Sequence, residues 1–260
     1  MSKVGVVFLN LTTIVVSFAV FCKEVDASTV ALSKADLVHG EAQIELMLRD
    51  RPRMSECVRR GDPVWGWTVQ HFAGDGMSHR IYWNNAIGDN PISYNAESHY
   101  PTKYRRGSIS IRRIDAHGDL LDCEELWKCA VFELCNVRNG PDFHAIYLKA
   151  LRGQLTEDEF IRQNMAIEFR TSRDTTKFYQ SVWSPWALKN NLQSHSEVWF
   201  ADDPNTFVEW SSGFTDKNAY PWNSWGNYFK TKIVPYRKAV EAQSRNNKIT
   251  RNHRMQANTE

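Results

Sequence analysis

Residues 122–139 read DCEELWKCAVFELCNVRN, and the fold turns on what this stretch becomes. Asp122 and Glu125 stand three apart ahead of an apolar run, the spacing of a capping box. Leu126, Ala130, Leu134 and Val137 recur at helical spacing, with Trp127 and Val131 beside them. Phe132 and Cys135 fall outside that stripe, so the helix is apolar almost all round. Such a helix belongs in a core. Gly140-Pro141 is read as its stop. A short helix follows over Asp142 to Arg152, closed by Gly153. A second capping box, Thr156 with Glu159, opens a long helix that should run to about Trp183 and end before Pro185. At about 1.5 Å per residue that helix spans roughly 40 Å.

Two acids stand out on these helices. Glu133 lies at the edge of the stripe formed by Leu126, Ala130 and Val137. Glu168 lies near the middle of the apolar side defined by Phe160, Ile161, Met165, Phe178, Tyr179 and Val182. A carboxylate there is costly unless it is paired or hydrogen-bonded. The structural expectation is a buried salt bridge to Arg112, Arg138 or Arg170. The functional expectation is that Glu133 and Glu168 face one cleft between the two helices.

The order of these elements resembles the zincin metallopeptidases. In that family a buried helix bearing His-Glu-x-x-His follows an edge strand, and a later helix brings a third ligand, often Glu. Here a strand-like Ser108 to Ile114 precedes Phe132-Glu133-Leu134-Cys135-Asn136, and Ala166-Ile167-Glu168-Phe169 comes later. The resemblance covers about Ser108 to Trp183. It implies Glu133 at the general-base position and Glu168 at the third-ligand position. Phe132 and Asn136 replace both histidines, and neither is a good zinc ligand. The implied molecule is a zincin-like scaffold without metal or other cofactor.

Met1 to Ala27 reads as a secretory signal: Lys3, then a largely apolar Val4 to Phe21, then Val25-Asp26-Ala27 with cleavage before Ser28. No other stretch is long and apolar enough to span a bilayer. The mature chain is therefore expected to be secreted or periplasmic, without a stable membrane span. Losing Lys3 and Lys23 together with Glu24 and Asp26 leaves the formal charge of +2 unchanged. A balance that near neutral argues against nucleic acid as a partner. Residues 28–236 are read as one globular domain and residues 237–260 as a basic tail, partly disordered.

Of the five cysteines, Cys22 leaves with the signal. Cys57, Cys123, Cys129 and Cys135 remain as disulfide candidates in an oxidising compartment. Four cysteines allow three connectivities. Cys129 and Cys135 sit on one presumed helix and point to different sides, so a bond between them is disfavoured. Cys57 and one other cysteine are expected to join neighbouring elements.

Ser33 to Leu48 has the pattern of a first helix, with Ser33 or Asp36 as caps. Trp65, Trp67, Val69 and His71 alternate with Gly66, Thr68 and Gln70, which reads as a strand. Gly74-Asp75-Gly76 is turn chemistry, and His79 to Asn84 reads as the return strand of a hairpin. Another turn is expected at Gly88 to Pro91, irregular chain over Ser93 to Arg106, and a third strand at Ser108 to Ile114. After Pro185 the chain looks loop-like and dense in aromatics, wrapped back over the helices. The whole reads as a helix-rich α+β domain with a small antiparallel or mixed sheet.

Two functions from different classes follow. The first is a pseudoenzyme or binding protein for a peptide, glycan or protein ligand, with Asn136 and His144 as candidate binding side chains and aromatics supplying contact area. The second is a secreted hydrolase in which Glu133 and Glu168 form an acid/base pair, helped by His99, His117 or His144. A thiol hydrolase using Cys135 and His144 has weaker support, because no Cys/His signature surrounds Cys135.

Overall fold

A computed structural model describes residues 31–74, 77, 79–86, 96–101, 106–115 and 117–257. The stretch read as a leader lies outside these residues, as do the turn expected at 88–91 and most of the one expected at 74–76. The molecule is α+β and helix-rich, with a small mixed sheet of three strands.

Helix α1 (Lys34–Asp50) starts at a full capping box, Ser33 with Asp36. After a 3-10 turn at Pro52–Glu56 comes α2 (Pro63–Ala73), where the sequence suggested a strand. The alternation of Trp65, Trp67, Val69 and His71 was misleading. Trp65, Thr68, Val69 and Phe72 are all buried, at the i, i+3, i+4, i+7 spacing of a helix. Pro63 sits in the first turn, and Gly74 ends the helix at φ 95°. These are the helix punctuation marks that the period-two reading passed over. No hairpin follows from it.

Strand β1 (Ile81–Trp83) runs parallel to β3 (Gly107–Ile111), and β2 (Ala96–His99) runs antiparallel to β3, giving the order β1-β3-β2. Strand β2 lies in the stretch expected to be irregular. Its polar sequence, Ala-Glu-Ser-His, carries no apolar alternation to read.

The central helices keep their expected starts. Helix α3 (Cys123–Arg138) and helix α5 (Glu157–Phe178) each begin at a complete capping box, Asp122/Glu125 and Thr156/Glu159. Between them runs α4 (Gly140–Leu151), which begins at once after Asn139. Gly140 is therefore a close-contact residue inside a helix: a Cβ there would collide with the Tyr100 ring. The long helix passes Pro185 instead of stopping. A π turn at Tyr179–Trp183 resets its register, and α6 (Ser184–Lys189) starts with Pro185 in its first turn, where no N–H is needed.

The aromatic segment does wrap over the helices, but as helix rather than loop. It forms a 3-10 turn (Ser196–Trp199), α7 (Phe207–Ser212) and α8 (Trp222–Tyr228). A second π turn (Phe229–Ile233) leads into α9 (Val234–Ala257), so the basic stretch read as a tail is helical to Ala257. Phe169 of α5 meets Phe207 and Trp210 of the α7 segment at ring distances of 6.0 and 5.5 Å.

The main core joins the inward residues of the sheet, Ile81, Ile109 and Ile111, to α1, α2, α3 and the Trp183–Trp199 pair. A second apolar cluster lies between α4, α5 and the Phe229–Ile233 turn. Helix α5 contributes to both, and its middle carries Glu168.

Candidate functional site

Glu133 lies on the third turn of α3 and Glu168 on the middle of α5. Asn139 Nδ2, at the end of α3, donates to Thr171 Oγ1 of α5 at 2.9 Å and ties the two helices together. Both acids are buried, 6 % and 8 % exposed.

Each carboxylate is held by neutral donors. Asn136 Nδ2, one turn on in α3, donates to Glu133 Oε2 at 3.2 Å, and the nearby Ser98 hydroxyl of strand β2 also favours the ionised form of Glu133. The Tyr220 hydroxyl donates to Glu168 Oε2 at 2.7 Å, and Trp225 Nε1 donates to Oε1 at 3.0 Å. Burial raises the Glu133 pKa to about 6 against these hydrogen bonds, and raises Glu168 to about 7. The Glu133 charge adds to the rise at Glu168 and at the Tyr220 phenol. Glu168 thus feels the Glu133 charge, while the charged neighbours acting on Glu133 are Lys128 and Glu97.

The expected buried salt bridge is not there. Arg170 pairs with Asp142, Arg138 is exposed, and Arg112 is buried with no side-chain hydrogen-bond partner among the described residues. Among the described residues neither Glu133 nor Glu168 has a cation within ion-pair distance. The lowered solvation of each acid is offset mainly by hydrogen bonds, with the more distant Lys128 charge adding to them at Glu133.

The other sequence candidates divide. Asn136 is in the site, donating to Glu133. His144 is on exposed α4, near the rings of Tyr100 and Tyr147 at 6.5 and 6.2 Å, and bonds neither acid. His99 sits 3.3 Å from Glu97 on β2, and His117 lies in the turn capped by Asp115. Burial pushes the Cys135 thiol up to about 12 and raises Cys129, so neither offers a thiolate near neutrality. Both are free and buried, which removes them as disulfide partners. Cys57 and Cys123 form the pair, with Cα atoms 6.4 Å apart. Among the described residues no three His, Cys, Asp or Glu side chains converge as a metal site.

Tyr220, Trp225 and Ser98 were missed. Their partners lie 52 residues away for Tyr220 and 57 for Trp225, a separation that local pattern does not reach. Also missed was the buried Glu124 of α3. It accepts from Trp199 Nε1 at 2.7 Å, His195 Nδ1 at 2.8 Å, the Ser194 hydroxyl at 3.2 Å and the His195 backbone at 3.1 Å. This arrangement staples the Ser196–Trp199 turn to α3. The hydrogen bond that the His195 ring donates to Glu124 raises the His195 pKa.

The chain matches no protein-family model, no curated protein and no solved structure.

Proposed function

We propose that this chain is an exported, metal-independent binding protein on a zincin-like scaffold, and that the Glu133–Glu168 pair receives a cationic group of a peptide ligand. One observation carries this reading. Two carboxylates are buried, the charge of Glu133 reaches Glu168, and both are bonded by neutral donors only. Repulsion and burial both disfavour full ionisation of such a pair, and an ammonium or guanidinium group relieves both. Tyr220 is 44 % exposed while its hydroxyl reaches Glu168, so the ligand would enter beside its ring.

The zinc of a true zincin does not fit these residues. The Phe132 ring packs on Phe200 at 5.5 Å, and the Asn136 amide nitrogen is turned to Glu133.

The pKa values of about 6 and about 7 also favour a second reading, a hydrolase in which one acid keeps its proton while the other is ionised. Calorimetry on residues 28–260, purified without chelator, separates the two. The titrants are short peptides of cationic, neutral and acidic composition, at pH 6 and pH 8. The binding reading expects heat from the cationic set alone, stronger at pH 8 because both acids are then ionised, and lost in Glu168→Gln. Absence of that preference, or one equivalent of a transition metal in the purified protein, overturns it. Turnover of an oligosaccharide mixture that Glu133→Gln and Glu168→Gln both abolish establishes the hydrolase instead.

A further inference from the structure

Strand β3 carries a second buried polar group, apart from the Glu133–Glu168 pair. Ser108 and Ser110 alternate with the core residues Ile109 and Ile111, and Arg112 continues their alternation just past the strand end. Ser110 and Arg112 are both 0 % exposed. Among the described residues the Ser110 Oγ and the Nε, Nη1 and Nη2 atoms of Arg112 have no hydrogen-bond partner.

A guanidinium does not escape burial by losing its proton, as a lysine or histidine does. Its fork of N–H donors is left with a full charge in a poorly solvated place. The neighbourhood carries charge of both signs, Arg51 and the Asp50 carboxylate on which it acts. Arg51, itself buried, donates through Nε to the Ile111 carbonyl at 2.7 Å, one residue before Arg112. The register puts Glu97 of β2 opposite Ser110, so among the described residues it is the carboxylate that the sheet places on this face. Glu97 lies instead at 3.3 Å from His99 Nε2 and is 31 % exposed. It makes no ion pair with Arg112.

We propose that Arg112 and Ser110 bind a small monovalent anion, a halide or a carboxylate, held inside the fold against β3. The chemistry selects this class. One uncompensated positive charge calls for one negative charge, and complete enclosure calls for a small ion. A planar donor fork beside a hydroxyl matches either a carboxylate taken in bidentate fashion or a halide held by N–H and O–H donors. The site is independent of the Glu133–Glu168 reading and of its outcome.

Thermal unfolding of residues 28–260 tests it, with sodium chloride, bromide or formate titrated at constant ionic strength against sodium gluconate, an anion too bulky for an enclosed site. The wild type is expected to gain Tm in a saturable way, as a ligand that binds the folded state demands. A response to formate alone identifies a carboxylate site, and one to chloride and bromide a halide site. Arg112→Met is expected to lose the response. Ser110→Ala, which removes one oxygen, keeps the fold and weakens the anion's apparent affinity by about threefold or more. Bromide anomalous density at Arg112 would confirm the position. Parallel curves for wild type and Ser110→Ala overturn the proposal. So does a response that appears only in Glu97→Gln, because Glu97 is then the counter-ion of Arg112.

Discussion

Glu168 carries its charge at a cost that depends on pH. Burial raises its folded-state pKa from 4.5 to about 7, so between those values the folded protein holds a proton that the unfolded chain has released. Its contribution is most favourable below about pH 4.5 and is lost as the pH rises through 7. The shift corresponds to about 3 kcal/mol at high pH. Glu133, raised to about 6, adds a smaller loss of the same sign. Glu168→Gln should therefore flatten the fall in unfolding free energy between pH 5 and pH 8, measured by urea denaturation. At pH 8 the variant should equal or exceed the wild type in stability, because an amide still meets the Tyr220 hydroxyl. A loss of several kcal/mol at pH 8 would show that the ionised carboxylate is a structural brace. His195 works in the same sense. Its raised pKa stabilises below the unfolded value and is lost as pH rises through the folded one.

Helices α1 and α2 meet so closely that a side chain at Gly40 is excluded. A Cβ there would lie 3.0 Å from the Val69 carbonyl carbon and 3.1 Å from Val69 Cγ1, and closer still to the carbonyl oxygen. Gly40→Ala should cost more than about 2 kcal/mol, since the two helices must separate. Gly66, on α2, has nothing within 4 Å of where a methyl group would lie. Gly66→Ala should stabilise by about 0.5–1 kcal/mol through helix propensity. Chemical denaturation of the two variants side by side checks both signs. The pair also explains a failure of sequence reading. Both residues are glycines inside helices, yet one marks a contact and the other a tolerated gap. Only the neighbour across the interface distinguishes them.

At the scale of the molecule, the Cys57–Cys123 bond closes a segment with a sequence separation of 66 and joins the chain after α1 to the start of α3. Loop-closure entropy for that length puts its contribution at about 4 kcal/mol. Reduction, or Cys57→Ser, should lower the urea midpoint accordingly. In unreduced residues 28–260, thiol titration should find Cys129 and Cys135 only after denaturation, because both are buried. Fast labelling of either cysteine in the folded protein would contradict this packing. Among the described residues no helix is long and apolar enough to cross a membrane.

Sequence alone determined the three helices that begin at capping boxes, α1, α3 and α5, and the helical phase that puts Glu133 and Glu168 on inward sides. Caps and periodicity act between residues within one or two turns, so they are legible before any tertiary contact exists. It also conveyed the class of the fold, a few strands among many helices. Tertiary structure decided what covers the acids. Tyr220 and Trp225 reach Glu168 from a segment whose aromatics are spaced irregularly, and their choice of partner depends on how α8 packs on α5. It decided that 63–73 is a helix, because burial on successive turns there comes from α1 and the core rather than from a sheet face. It paired Cys57 with Cys123 and left Cys129 and Cys135 as core thiols. In each case the deciding energy is burial against a residue far along the chain, which no local pattern encodes.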